Sequence, residues 1–181
     1  MTKKELIQKL RSSGLNHNMS VTDLLANPKL VAKLLKAVNT KDVVQTLQRI
    51  AYYRLALALV DACSAIEVSK NGMSTKDREY IKARVHVALN SLIPIKLSDV
   101  LLKPTTVQKF LHTRADDVYS AIKYSDTAKR SACKKLIKPN VVKRATVRNI
   151  KKLTTTASKF KIDRKLLSNI TKVAELLSKV K

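Results

Sequence analysis

Apolar residues recur at intervals of three and four along most of this chain, which is the spacing of an amphipathic helix. Leu6, Ile7 and Leu10 form one such stripe, and Leu30, Val31, Leu34, Leu35 and Val38 form another. Ile81, Val85, Ala88, Leu89 and Leu92 make a third; Leu166, Leu167, Ile170, Val173, Ala174 and Leu177 make the last. One stretch, Thr40 to Gly72, departs from this pattern because it is apolar on all sides. From Ile50 to Ile66 its only charges are Arg54 and Asp61. A helix of that kind is either buried by its neighbours or spans a membrane. Arg54 and Asp61 cut the run far short of the ~20 apolar residues that a span needs. The pattern therefore predicts an all-α, multi-helix bundle in which five to seven helices wrap a long central apolar helix.

Punctuation between the stripes supports helices joined by short loops. Thr2 and Glu5 have the spacing of a capping box, and Gly14 can end the first helix. In helix spacing and leucine placement, the opening through Leu15 resembles the helix-extended-helix DNA-binding modules. No residue role follows from that likeness, and a packing arm is the plainer reading. Asn27 can cap the helix that Pro28 opens, since the first helical position needs no N–H. Thr40 is placed to cap the long helix, with Asp42 favoured by the helix dipole. Ser74 with Asp77 caps the helix that Pro94 ends. Ser125 caps a helix carrying Ala132, Cys133 and Leu136. After Pro139 a further helix buries Val142, Ala145 and Leu153. Thr154 to Ser158 reads as a loop, and the final helix begins near Asp163. Residues 1–128 are expected to form the helical core, with 129–181 a basic helical region packed on the same domain.

The chain also resembles itself. Val21–Leu35 lies over Leu97–Leu111 without a gap, and Asp23/Asp99, Leu25/Leu101, Pro28/Pro104, Val31/Val107, Lys33/Lys109 and Leu35/Leu111 are identical. Leu136 to Pro139, with Val142 and Arg144, is a fainter third echo. The reading is either a possible internal helical repeat, a duplicated turn-proline-helix unit, or convergence on a common capped turn.

Composition agrees with helices, for 181 residues hold only two glycines and four prolines, too few turn residues for a β-rich fold of this length. Charge changes the picture more. The 37 basic and 13 acidic residues give a formal net charge of +24, so a polyanion or acidic surface is the expected partner. The excess concentrates late: from Lys129 to Lys165 there are 14 basic residues and a single acid, Asp163. These are Lys129, Arg130, Lys134, Lys135, Lys138, Lys143, Arg144, Arg148, Lys151, Lys152, Lys159, Lys161, Arg164 and Lys165. Solvated helix faces normally mix both signs. One-sided runs at i, i+4 and i+7 instead suit a phosphate backbone, with Arg144, Arg148 and Lys151 expected as one ridge. Starting from the last member of this run, Lys165, Lys172 and Lys179 recur every seven residues on the flank of the final helix. Aromatics are 4%, and Tyr52 and Tyr53 read as core. Tyr119, Tyr124 and Phe160 remain as stacking platforms, too few for readout of single-stranded bases.

Catalytic signatures are missing. Glycine at 14 and 72 alone permits no phosphate-cradling loop. His17, His86 and His112 are scattered without zinc-ligand spacing, so no metal and no cofactor is expected. Asp77/Glu79 and Asp116/Asp117 fall in first helical turns, where the dipole favours acids. Cys63 and Cys133 read as reduced core residues. The charged start lacks the apolar segment of a secretion signal, so an intracellular place (cytoplasm, nucleoid or virion) is expected. Together these readings predict a non-catalytic structural protein that holds DNA or RNA by its phosphates in a nucleoprotein assembly: a packaged viral or phage genome, a nucleoid or a ribosome-like particle. Other protein subunits of a large assembly are possible partners. The alternative is a viral or phage shell protein whose basic face meets acidic subunits.

Overall fold

The computed structural model describes residues 2–70, 83, 87, 90–92, 94–124, 146–160 and 162–180. Among them the backbone is helical throughout its regular parts. The helices are α1 (Lys3–Ser12), α2 (Val21–Ala26), α3 (Pro28–Ala37), α4 (Lys41–Lys70), α5 (Leu97–Leu102), α6 (Pro104–Tyr124), α7 (Val147–Ala157) and α8 (Arg164–Ser178). The chain is all-α.

Local chemistry sets many of the boundaries. Thr2 Oγ1 accepts from the Glu5 N–H and the Glu5 carboxylate accepts from the Thr2 N–H, closing the capping box of α1. Gly14 takes φ +68° just beyond α1, the left-handed region where a side chain is strained. Asn27 is the C-cap of α2 and the N-cap of α3, and its side chain accepts from the Lys29 N–H. Asp163 does the same for α8 through the Lys165 N–H at 2.8 Å.

The 30-residue α4 is about 45 Å long at 1.5 Å per residue. It packs against α2, α5, α6, α7 and α8. Leu47, Ile50, Tyr52, Tyr53, Leu55, Leu57 and Leu59 on it are completely buried. Buried residues of α1, α2, α3, α5, α7 and α8 join the same apolar cluster. The α8 helix also lies across α2, α3 and α7, while α1 rests on α3.

Polar side chains tie α4 to its neighbours. Arg54 Nη1 donates to the Thr22 carbonyl at 3.0 Å. Arg49 Nη1 donates to Gln108 Oε1 at 2.7 Å, and Gln108 Nε2 donates to Thr46 Oγ1 at 2.9 Å. Tyr53 donates its hydroxyl proton to the Arg114 carbonyl. Among the described residues no helix is long and apolar enough to cross a membrane.

The two similar segments adopt matching structure. The α2 and α5 helices are six residues each, and each gives way to a helix opened by proline, Pro28 or Pro104. Val21/Leu97, Leu24/Val100, Leu25/Leu101 and Val31/Val107 are buried in both segments. Ser20 and Lys96, which precede the two short helices, form an isolated antiparallel bridge. There the Val21 N–H donates to the Ile95 carbonyl and the Leu97 N–H to the Met19 carbonyl, each at 2.9 Å.

Two expectations need correction. The threonine run is not a loop, because α7 extends through Ala157. Thr154, Thr155 and Thr156 each turn the hydroxyl back onto a carbonyl four residues earlier, at 2.6, 3.0 and 3.0 Å. That bond satisfies the hydroxyls inside a helix, where their competition with the backbone would otherwise favour a turn. Burial of Thr154 and Ala157 then holds the end of the helix against the core. Second, Thr146 has extended backbone (φ −127°, ψ 164°) and accepts from the Asn149 N–H, so α7 begins at Val147. The expectation of one continuous helix carrying Val142, Ala145 and Leu153 therefore fails at Thr146. Arg144, expected on one ridge with Arg148 and Lys151, lies outside the described residues.

Candidate nucleic-acid interface

The basic segment that falls within the described residues is a pair of helices joined by a short turn. Along α7, Ile150, Leu153, Thr154 and Ala157 are buried. Arg148, Lys151 and Lys152 lie on the other side and are exposed, at the i, i+3 and i+4 spacing that groups side chains on one face. Lys159 is exposed in the turn after α7. Arg164 and Lys165 are exposed in the first turn of α8, whose own inner face is Ile170, Val173, Ala174 and Leu177. Thus each helix is fixed to the core by one face and presents cations on another.

Six of the expected residues can be placed in this way. The other eight, Lys129, Arg130, Lys134, Lys135, Lys138, Lys143, Arg144 and Lys161, lie outside the described residues. Ser125, Cys133 and the third echo at Leu136 to Pro139 lie outside them too, as do Gly72, Ser74, Asp77, Glu79, Ile81, Val85, His86, Ala88 and Leu89.

The surface of this helix pair has two clefts of different character. One, of about 420 Å³, runs between α7 and α8 and is lined by Lys151, Thr155, Ser158, Ser168, Thr171 and Glu175 among others. It pairs a cation with a carboxylate and offers several hydroxyls. The other, of about 530 Å³, lies where α8 crosses the corner between α2 and α3. Lys165 and Lys172 line it from α8 and Lys29 from α3, with Asn27 and Asn169 beside them. Asn169 Nδ2 donates to the Ala26 carbonyl at 2.8 Å across this junction.

Lys29 was not a candidate from the sequence, since nothing in a lone lysine after a proline announces a cleft. Lys172 did carry a signal, the seven-residue recurrence with Lys165 and Lys179. Phe160, considered for base stacking, is half-buried and packs against the core. The guanidiniums of Arg49 and Arg54 are drawn inward, and burial pulls both below the usual arginine range; Asp23 partly offsets this for Arg54. They belong to the packing of α4 and not to the exposed basic surface. Among the described residues no group of three or more His, Cys, Asp or Glu could hold a metal ion.

No protein-family model, no curated protein and no solved structure matches this chain.

Proposed function

We propose that this chain is a non-catalytic structural protein that binds DNA or RNA through its phosphate backbone, within a nucleoprotein assembly such as a packaged genome, a nucleoid or a ribosome-like particle. The observation that carries this reading is the two-sidedness of α7 and α8. Their inner faces are buried in the apolar core, while Arg148, Lys151, Lys152, Lys159, Arg164 and Lys165 are all exposed. Cations on helices anchored in a core are held in fixed register, and phosphate contacts need such positioning. With Phe160 turned to the core, the described basic surface favours backbone contacts over stacking on bases.

Two finer features of the architecture belong to the same reading. The α4 helix serves as the central apolar element around which the bundle assembles. The units beginning at Ser20 and Lys96 derive from duplication of a turn-proline-helix module. Convergence on a capped turn explains two similar helices. It does not explain why equivalent residues meet each other in a reciprocal antiparallel bridge, the contact expected at an isologous, two-fold-related junction.

The test is binding of the purified chain to duplex DNA and duplex RNA across a salt series. If the six described cations each engage a phosphate, the log–log slope on DNA is about −5. Replacing Arg148, Lys151 and Lys152 together by Gln leaves the buried faces intact. It should flatten the slope by up to about three units, with affinity lost alike for all sequences. A parent protein with no salt-sensitive binding to either duplex would overturn the reading and favour an acidic protein partner.

A further inference from the structure

The cleft between α8 and the α2–α3 corner concentrates positive charge from two separate elements. Lys165 and Lys172 stand two turns apart on α8, and Lys29 faces the same space from α3. All three side chains are exposed, and among the described residues that line the cleft there is no carboxylate. The backbone at the start of α3 adds little to this field. Pro28 has no N–H, Lys29 N–H is taken by Asn27 Oδ1, and the Leu30 and Val31 N–H groups donate to the Asn27 carbonyl at 3.0 and 3.2 Å. The charge is therefore that of three ammonium groups. The bond from Asn169 to the Ala26 carbonyl fixes α8 to this corner, so the lysines of the two elements keep their relative placement.

We propose that this cleft seats backbone phosphates of the bound nucleic acid. Three ammonium groups facing one space repel one another, and an anion between them relieves that repulsion without a change of fold. The lining supplies ammonium and amide donors and no aromatic face, which suits phosphate and sugar and not a stacked base. At about 530 Å³ the cleft has room for more than a single phosphate. Lys165 belongs both to this cleft and to the exposed surface of α7 and α8. The phosphate track thus turns from the tip of the helix pair onto α3 and recruits the amino-terminal part of the chain. This inference rests on the nucleic-acid reading above and extends it to residues outside the Lys129–Lys165 run.

The experiment compares the full chain with its Lys29→Gln/Lys172→Gln variant on one duplex DNA across a salt series. The Lys4→Gln/Lys9→Gln variant, altered at two exposed lysines of α1, is the charge-matched control, and circular dichroism verifies that all three fold alike. The cleft variant should lose up to about two units of log–log slope, at ~0.9 per phosphate, while the control keeps the parental slope. Equal, small changes in the two variants, with the parent still binding, overturn the cleft and leave the wider reading standing. A parent that shows no salt-sensitive binding overturns both. In a last arm, inorganic phosphate replaces chloride at constant ionic strength. If it weakens duplex binding more in the parent than in the cleft variant, inorganic phosphate and the duplex share the cleft and the assignment stands. If it weakens the two alike, the competition lies elsewhere and the cleft assignment falls.

Discussion

Tyr52 is completely buried on α4, and burial drives its phenol well above the usual tyrosine range. The sign of the consequence follows from which state releases the proton. In the unfolded chain Tyr52 ionises near pH 10, at about the value of a free tyrosine. In the folded chain it stays neutral to higher pH, so its contribution to stability is complete below about pH 10 and is lost as pH rises further. Denaturation midpoints measured at pH 8 and pH 11 should fall with pH in the parent, and the fall should be shallower in Tyr52→Phe. Identical falls in the two proteins would mean that the phenol is not held in the core. Its burial was legible in the sequence, because Tyr52 and Tyr53 sit in the stretch that is apolar all round. The inward turn of Arg54 was not. A charge inside an apolar run signals only that a partner exists, and here the partner is the Thr22 carbonyl, a backbone atom with no signature in the sequence.

Some helix starts were readable because capping uses side chains: Thr2 with Glu5 and Asn27 before Pro28 stand where their chemistry suggested, and the last helix begins near Asp163 as expected, whereas the Thr146 cap of α7 was not anticipated. The end of α7 was not readable for the same physical reason. A run of threonines can bond to its own backbone in a turn or in a helix, and only the burial of Thr154 and Ala157 decides between them. The match in boundaries between α2 and α5 was foreshadowed by the shared aspartate, leucine and proline positions. The bridge joining Ser20 to Lys96 is a long-range contact that no local pattern encodes. The helical state of the threonine run has a direct test in Thr155→Pro, at an exposed position. Proline there removes the N–H that bonds back to Lys151 and clashes with that carbonyl, costing ~3 kcal/mol in a helix interior. For a chain of this size that lowers the melting temperature by roughly 6–12 °C. Thr155→Ala should leave it unchanged or raise it slightly, whereas in a loop neither substitution would matter.

At the scale of the whole molecule, the exposed cations and the apolar core depend on each other. Arg148, Lys151 and Lys152 are displayed outward only because Ile150 and Leu153 on the same helix are held against the buried cluster that includes α4. Leu57 is completely buried on α4, which contacts α2, α5, α6, α7 and α8. Leu57→Asp removes a buried leucine, a loss of about 2–5 kcal/mol. It also places a carboxylate out of water, at a further cost of several kcal/mol. The sum rivals the roughly 5–15 kcal/mol that holds an ordinary domain together. The variant should therefore lose its helical circular dichroism and its cooperative melting together. Because the cations would no longer be held in register, any remaining affinity for duplex DNA should be that of an unordered polycation. The surface variants at Arg148, Lys151 and Lys152, and at Lys29 and Lys172, should instead keep the parental circular dichroism and melting while their salt slopes flatten. A Leu57→Asp protein that melted like the parent would show that α4 is not buried at its middle. The bundle would then have to find its core elsewhere.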